Sequence, residues 1–129
     1  MIASNAFNYV NVLDKAADAA WLRNDIISNN IANVSTPNYK RKDVQFETYL
    51  MEELAGAATL DEGINDIDLS ALSATTYVDN SSLSYRLDGN NVDIDTENAE
   101  FAKNQITYST LMDSMTQEFS RIKMVLDKA

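Results

Sequence analysis

Apolar residues recur along the first quarter of the chain with alternating gaps of four and three: Ala6, Val10, Leu13, Ala17, Ala20, Asn24, Ile27, Ile31 and Val34. Asn24 is the single polar residue among them. A repeat of this period lies on one side of a helix and favours packing against a second helix. The spacing predicts a helix over residues 1–34, and at about 1.5 Å per residue the seam extends on the order of 40 Å. Its three alanines permit close approach but bury little area. The pattern returns near the other end in Asn98, Phe101, Gln105, Tyr108, Met112, Met115, Phe119, Ile122 and Leu126, predicting a helix over 96–129. These residues are larger, so small positions on one helix can receive large ones from the other. Asp95 or Thr96 suits the N-cap, and Glu97 and Glu100 suit the positive end of the helix dipole.

Between the helices the period breaks. Pro37 ends the first helix, because its ring clashes with the preceding turn and forces the residue before it toward extended geometry. Asn38 follows where a turn after proline often needs positive φ, which asparagine tolerates best after glycine. Asn29, Asn30, Asn33, Thr36, Pro37, Asn38 and Tyr39 form a hinge motif, within a hinge segment placed at 35–46. The middle, 47–95, differs in kind. Val44 to Ala55 reads as a short helix with Phe46, Leu50 and Leu54 on one face and Gly56 closing it. Residues 57–74 show no period and read as loop. Tyr77-Val78 and Ser84 to Leu87 read as short strands. Asp88-Gly89-Asn90-Asn91 is a turn signal, so a small β-hairpin is expected near 84–94. The expected fold is mainly α: two long terminal helices paired as a coiled-coil-like hairpin, with a small β-hairpin and an irregular acidic middle, in one structural domain.

Charge sharpens this division. The whole chain of 129 residues carries a net charge of −10, while residues 1–43 carry +1, 44–95 carry −10 and 96–129 carry −1. Nearly neutral ends can pack on copies of themselves, while the acidic middle favours water. An acidic chain is a poor partner for nucleic acid, whose phosphates need a basic surface. Lys40-Arg41-Lys42 is the one basic cluster; it reads either as a contact for an acidic neighbour or as a solvated loop. Trp21 reads as a lateral packing knob or as a cap on the hairpin. Asn24 and Gln105 either fix register within the seams or turn outward.

Candidate chemistry is sparse. The chain has no cysteine and no histidine. That removes disulfides, thiolate nucleophiles, Cys/His zinc sites and the commonest general base. Asp88, Asn90, Asp93 and Asp95 invite a calcium reading, but the glycine and terminal glutamate of a calcium loop are missing, and a turn followed by a helix cap accounts for the same residues. Paired carboxylates such as Glu52 and Glu53 meet no converging motif. No catalytic, cofactor or metal site is expected. No apolar run reaches the roughly 20 residues a membrane span needs. Met1 to Ala6 lacks a basic start followed by an apolar block, so no cleavable secretory signal is expected.

The run Arg23 to Phe46, with Ser28-Asn29-Asn30-Ile31-Ala32-Asn33-Val34-Ser35-Thr36-Pro37-Asn38-Tyr39 at its centre, resembles the N-terminal signature of bacterial flagellar rod and hook proteins. Tyr85 to Asp95, followed by Ala99 to Tyr108, resembles the second half of a short proximal rod subunit. One departure is Asn38, where the family usually has glycine. The resemblance implies a structural subunit of the rod, the drive shaft of the flagellar motor. It implies export in an unfolded state through the flagellar type III apparatus and assembly in the periplasm. The implied partners are further copies of the chain, the rod protein FlgC and distal rod proteins, and the rod-to-ring junction protein FliE. The assembly seam would then comprise Val10, Leu13, Ala17, Ala20, Asn24, Ile27, Ile31, Tyr108, Met112, Met115, Phe119, Ile122 and Leu126. A soluble helical adaptor or export chaperone that binds partner helices fits the same size and charge, and its cytoplasmic location would distinguish it.

Overall fold

The fold is that of a computed structural model, which describes residues 2–81 and 86–128, with side chains from residue 7 onward. Helix α1 spans Ile2–Ala32 and α4 spans Ile94–Asp127, matching the two long helices expected from the seams. They run antiparallel: Asn30 meets Glu97, and Asn104 meets Ala20. The cap of α4 is Asp93, not Asp95 or Thr96. Its carboxylate accepts from the backbone N–H groups of those two residues, so the helix begins two residues earlier than an Asp95 cap implies and three earlier than a Thr96 cap.

Strand β1, Lys42–Gln45, pairs antiparallel with β2, Thr75–Val78. The strand expected at Tyr77-Val78 is present, but its partner lies more than thirty residues upstream. The hairpin expected near 84–94 is not formed by the described residues: Arg86 to Gly89 make a turn, Asn90 to Asp93 are irregular, and Ile94 is already helical. Ser84 and Tyr85 lie outside the described residues. Because β1 takes Val44 and Gln45, helix α2 is shorter than expected, Glu47–Leu54. Gly56 follows it at φ 85, the left-handed closure read from the sequence.

Residues 57–74 are not loop throughout. Helix α3 covers Leu60–Asn65, and a 3-10 turn covers Leu69–Leu72. Each is started by a side-chain cap, Thr59 accepting from the Glu62 N–H and Asp68 from the Ser70 N–H. These elements are too short to show a period, yet each carries a core residue, Ile64 and Leu72. Both pack with Phe46 against Val12 and Ala19 of α1. Helix α1 is therefore buried on two sides. Val10, Ala17, Ala20 and Ile27 of the first seam are buried. A second stripe, Tyr9, Val12, Ala16 and Ala19, meets the middle segment.

Candidate assembly surface and its polar clamp

The hinge motif forms a clamp. Asn30 is fully buried at the last turn of α1, and its amide is completely used. The Nδ2 group donates to the Lys42 carbonyl at 2.8 Å and to Glu97 Oε2 at 3.3 Å. Its Oδ1 accepts from the Lys42 N–H and from the Tyr39 hydroxyl, both at 3.0 Å. The side chain thus pairs with β1 as a neighbouring strand would, covering its outer edge at Lys42. Arg23 covers the next outward carbonyl, donating to Val44 O at 3.0 Å while forking onto Glu47.

Asn90, also fully buried, closes the C-terminus of α1. A helix end leaves carbonyls without intrahelical partners. Asn90 Nδ2 lies 2.8, 3.1 and 2.9 Å from the carbonyls of Asn33, Val34 and Thr36, and its Oδ1 accepts from the Val92 N–H. Asn33 reaches back to Asn29, and Thr36 donates to Asn33. Asn38 has φ 63, the left-handed conformation expected of it, and its N–H donates to Asp88 O at 2.7 Å. Gly89 faces it at φ 76, and a Cβ there would stand 2.6 Å from Asn38 Oδ1. Lys40 donates to the Gly89 carbonyl. Asn91 bridges the Arg41 N–H and the Asp79 carbonyl. So the segment after Pro37 is held between α1, the turn at Asp88–Asn91 and the start of α4.

Arg41 ties the clamp together. Its Nε donates to Glu97 Oε1 at 2.6 Å, and its other nitrogens reach Asp79 and Asp43. Burial opposes the guanidinium's charge, but the hydrogen bonds and charges of Glu97, Asp79 and Asp43 outweigh it and raise its pKa. Two members of the basic cluster, Arg41 and Lys40, are thus spent within the chain rather than free for a neighbour. Glu97, expected only to favour the helix dipole, is a fully buried carboxylate.

Two carboxylates near the clamp are held below their ordinary range. For Glu47 the main cause is its hydrogen bond from Arg23, and for Asp79 it is the Ser81 hydroxyl and N–H, followed by Arg41. A depressed carboxylate contributes stability that is present above its unfolded pKa and is lost as pH falls through the folded value. Tyr9 and Tyr39 are raised, Tyr9 chiefly by its hydrogen bond to Asp61 and Tyr39 chiefly by burial. A raised tyrosine contributes stability that is lost as pH rises through its folded value. With no histidine to titrate, the melting temperature should be flat near neutrality. It should fall below about pH 4 and again above about pH 10, as followed by circular dichroism melts across pH.

The predicted seam is partly internal and partly open. Leu13, Asn24 and Ile31 on α1 and Tyr108, Met115 and Ile122 on α4 are half-buried, while Met112, Phe119 and Leu126 are exposed. Asn24 does meet Gln105, which donates to it at 2.9 Å in an exposed position. The buried amide is Asn104 beside it, donating to the Ala20 carbonyl at 2.7 Å. Periodicity passes over Asn104, because it lies one residue off the seam. Trp21 is 60% exposed and stacks at a tilt on Tyr108, with ring centroids 5.9 Å apart. It is a lateral knob rather than a cap at either end of the hairpin.

Paired terminal helices with exposed apolar residues, locked at one end by an asparagine clamp and lacking any converging catalytic groups among the described residues, suit a structural subunit. Known proteins make the class specific. The model of the family described as "Flagella basal body rod protein" matches residues 11–40, which includes Asn30, Asn33, Pro37 and Asn38 of the clamp. The flagellar basal body rod protein FlgB of Bacillus subtilis is 37% identical over 115 residues, covering 88% of this chain and 89% of that protein. FlgB of Borrelia hermsii is 35% identical over 128 residues, covering 91% and 94%. FlgB of Salmonella typhimurium is 36% identical over 99 residues, covering 67% and 69%. The chain belongs to the FlgB family of flagellar basal body rod proteins, a structural and not an enzymatic family.

Proposed function

We propose that this chain builds the proximal flagellar rod by packing its terminal helices against those of neighbouring subunits. There it transmits torque and continues the export channel. The observation that carries this is the open side of the α1–α4 hairpin. Phe7, Trp21, Met112, Phe119 and Leu126 remain exposed along it, with Leu126 at 68%. Scattered apolar residues are ordinary on a surface, but large exposed ones recurring at heptad spacing on one helix, as Met112, Phe119 and Leu126 do, mark an interaction site. The partners are further copies of the chain, FlgC and the distal rod proteins, and FliE at the rod-to-ring junction. The subunit reaches the periplasm through the flagellar type III apparatus without a cleaved signal peptide. No helix among the described residues is long and apolar enough to cross a membrane.

The clamp gives the assembly its stiffness. It fixes the angle between the helical layer and the outer segment through buried hydrogen bonds rather than through a flexible linker. Packing through unlike surfaces of the two helices is heterologous and continues as a filament. Deleting residues 115–129 removes the Phe119 and Leu126 end of the stripe but leaves the clamp. Cells making this truncate should accumulate the protein yet contain no complete rod in isolated basal bodies. Normal rods built from the truncate would refute the role given to α4.

A further inference from the structure

The open face of the hairpin is not uniform along its length. Near its middle, Trp21, Tyr108, Met112 and Met115 line a groove of about 330 Å³ rimmed by Asp14 and Asp18. The two aspartates stand four residues apart on α1, on one face with Trp21, and both are exposed. Neither makes an ion pair among the described residues. At the end of the hairpin the character reverses. The last turns of α4 expose Met124, Val125 and Leu126, and Lys123 and Lys128 flank them without ion pairs among the described residues. Asp127 is the one acidic residue in that stretch. Phe119, Lys123 and Leu126 follow Tyr108 and Met112 on one stripe of α4, since residues three and four apart share a helix face. Met124, Val125 and Lys128 fall about 100–160° around the helix from Leu126 at 3.6 residues per turn, so the basic apolar tip also turns away from the face that carries the groove.

Resting on the rod reading above, we infer that the basic tip of α4 docks into the Asp14/Asp18-rimmed groove of a second copy of the chain. The two features complement each other in charge, and each offers apolar groups that the other lacks cover for. They are separated along the axis by about thirteen residues, from Met112 to Val125, which is roughly 20 Å at the helical rise. Within one chain the tip therefore cannot reach its own groove. A head-to-tail stagger of that length seats tip on groove while leaving one free groove and one free tip at the ends, so the contact propagates. This places specificity in charge pairs at the edge of an apolar contact, where like charges brought together reject a wrong register.

The test uses purified full-length chain and two surface variants, followed by sedimentation velocity over a concentration series. In Asp14→Lys/Asp18→Lys, groove and tip are both basic. In Lys123→Glu/Lys128→Glu, both are acidic. Each variant alone should associate at least about tenfold more weakly than the natural chain, with unchanged helical circular dichroism. An equimolar mixture should regain association, because each groove now meets a tip of opposite charge. Two merely damaged proteins would not rescue each other on mixing. Several results would overturn the inference: natural chain that does not associate, either variant associating normally, no recovery in the mixture, or species that stop at a closed dimer. Absence of the natural chain from isolated basal bodies would instead overturn the rod reading, and is scored separately.

Discussion

Replacing Arg41 with alanine is expected to destabilise the folded chain by about 3–5 kcal/mol, the usual cost of leaving a buried charge without its partner. Glu97 is 0% exposed. Its Oε1 is held by Arg41 and its Oε2 by Asn30 at the longer distance of 3.3 Å. Without the guanidinium, the carboxylate must stay charged in a dry site or take up a proton. Arg41 also faces Asp79 and Asp43, so lysine cannot substitute: it has one point of charge where three nitrogens act in different directions. Urea unfolding of purified protein should show Arg41→Ala and Arg41→Lys both losing stability. Arg41→Met/Glu97→Leu should recover part of the loss, because it removes both charges together. A loss in Arg41→Ala of less than about 1 kcal/mol, typical of an exposed pair, would show that the Glu97 site is wet.

Leu72→Ala should cost a comparable amount, about 2–5 kcal/mol for a fully buried leucine that leaves a cavity. Leu72 is 0% exposed and sits in the core with Val12, Ala19, Phe46 and Ile64. The stretch that carries it reads as loop in the sequence, and a true loop position would tolerate alanine with a change within about 0.5 kcal/mol. Thermal melts of the purified chain separate the two outcomes. The variant also probes whether the middle segment and the terminal helices melt as one unit. Because α1 is shared by both contacts, a single cooperative transition at lower temperature is expected.

These two residues mark the limit of what local pattern reveals. Leu72 lies in a four-residue 3-10 turn, too short to establish a period. Arg41 belongs to a run of three basic residues that looks solvated. Its partner Glu97 is 56 residues away, and spacing in the sequence carries no trace of that approach. Asn30, Asn90 and Asn104 are alike in this respect. Asn30 is indistinguishable by type from its neighbours Asn29 and Asn33, yet it alone of the three is buried and paired with β1. The pairing of Tyr77-Val78 with β1, which the sequence does not foretell, has the same origin. A turn signal at Asp88-Gly89 is local and real, but it docks on the hinge instead of joining two strands.

What the amino-acid order determines by itself is the pair of long helices, the break at Pro37, the left-handed Asn38 and Gly56, and the residue types of the rod-protein signature. Each depends on periodicity or on backbone sterics within a few residues, so each is legible one window at a time. Tertiary structure alone decides which face of α1 meets α4 and which meets the middle segment. It also decides which strand β2 joins, and that the asparagines and Arg41 close a buried clamp. Buried polar groups must find partners wherever folding brings a donor to an acceptor, and that choice is made across the whole chain at once.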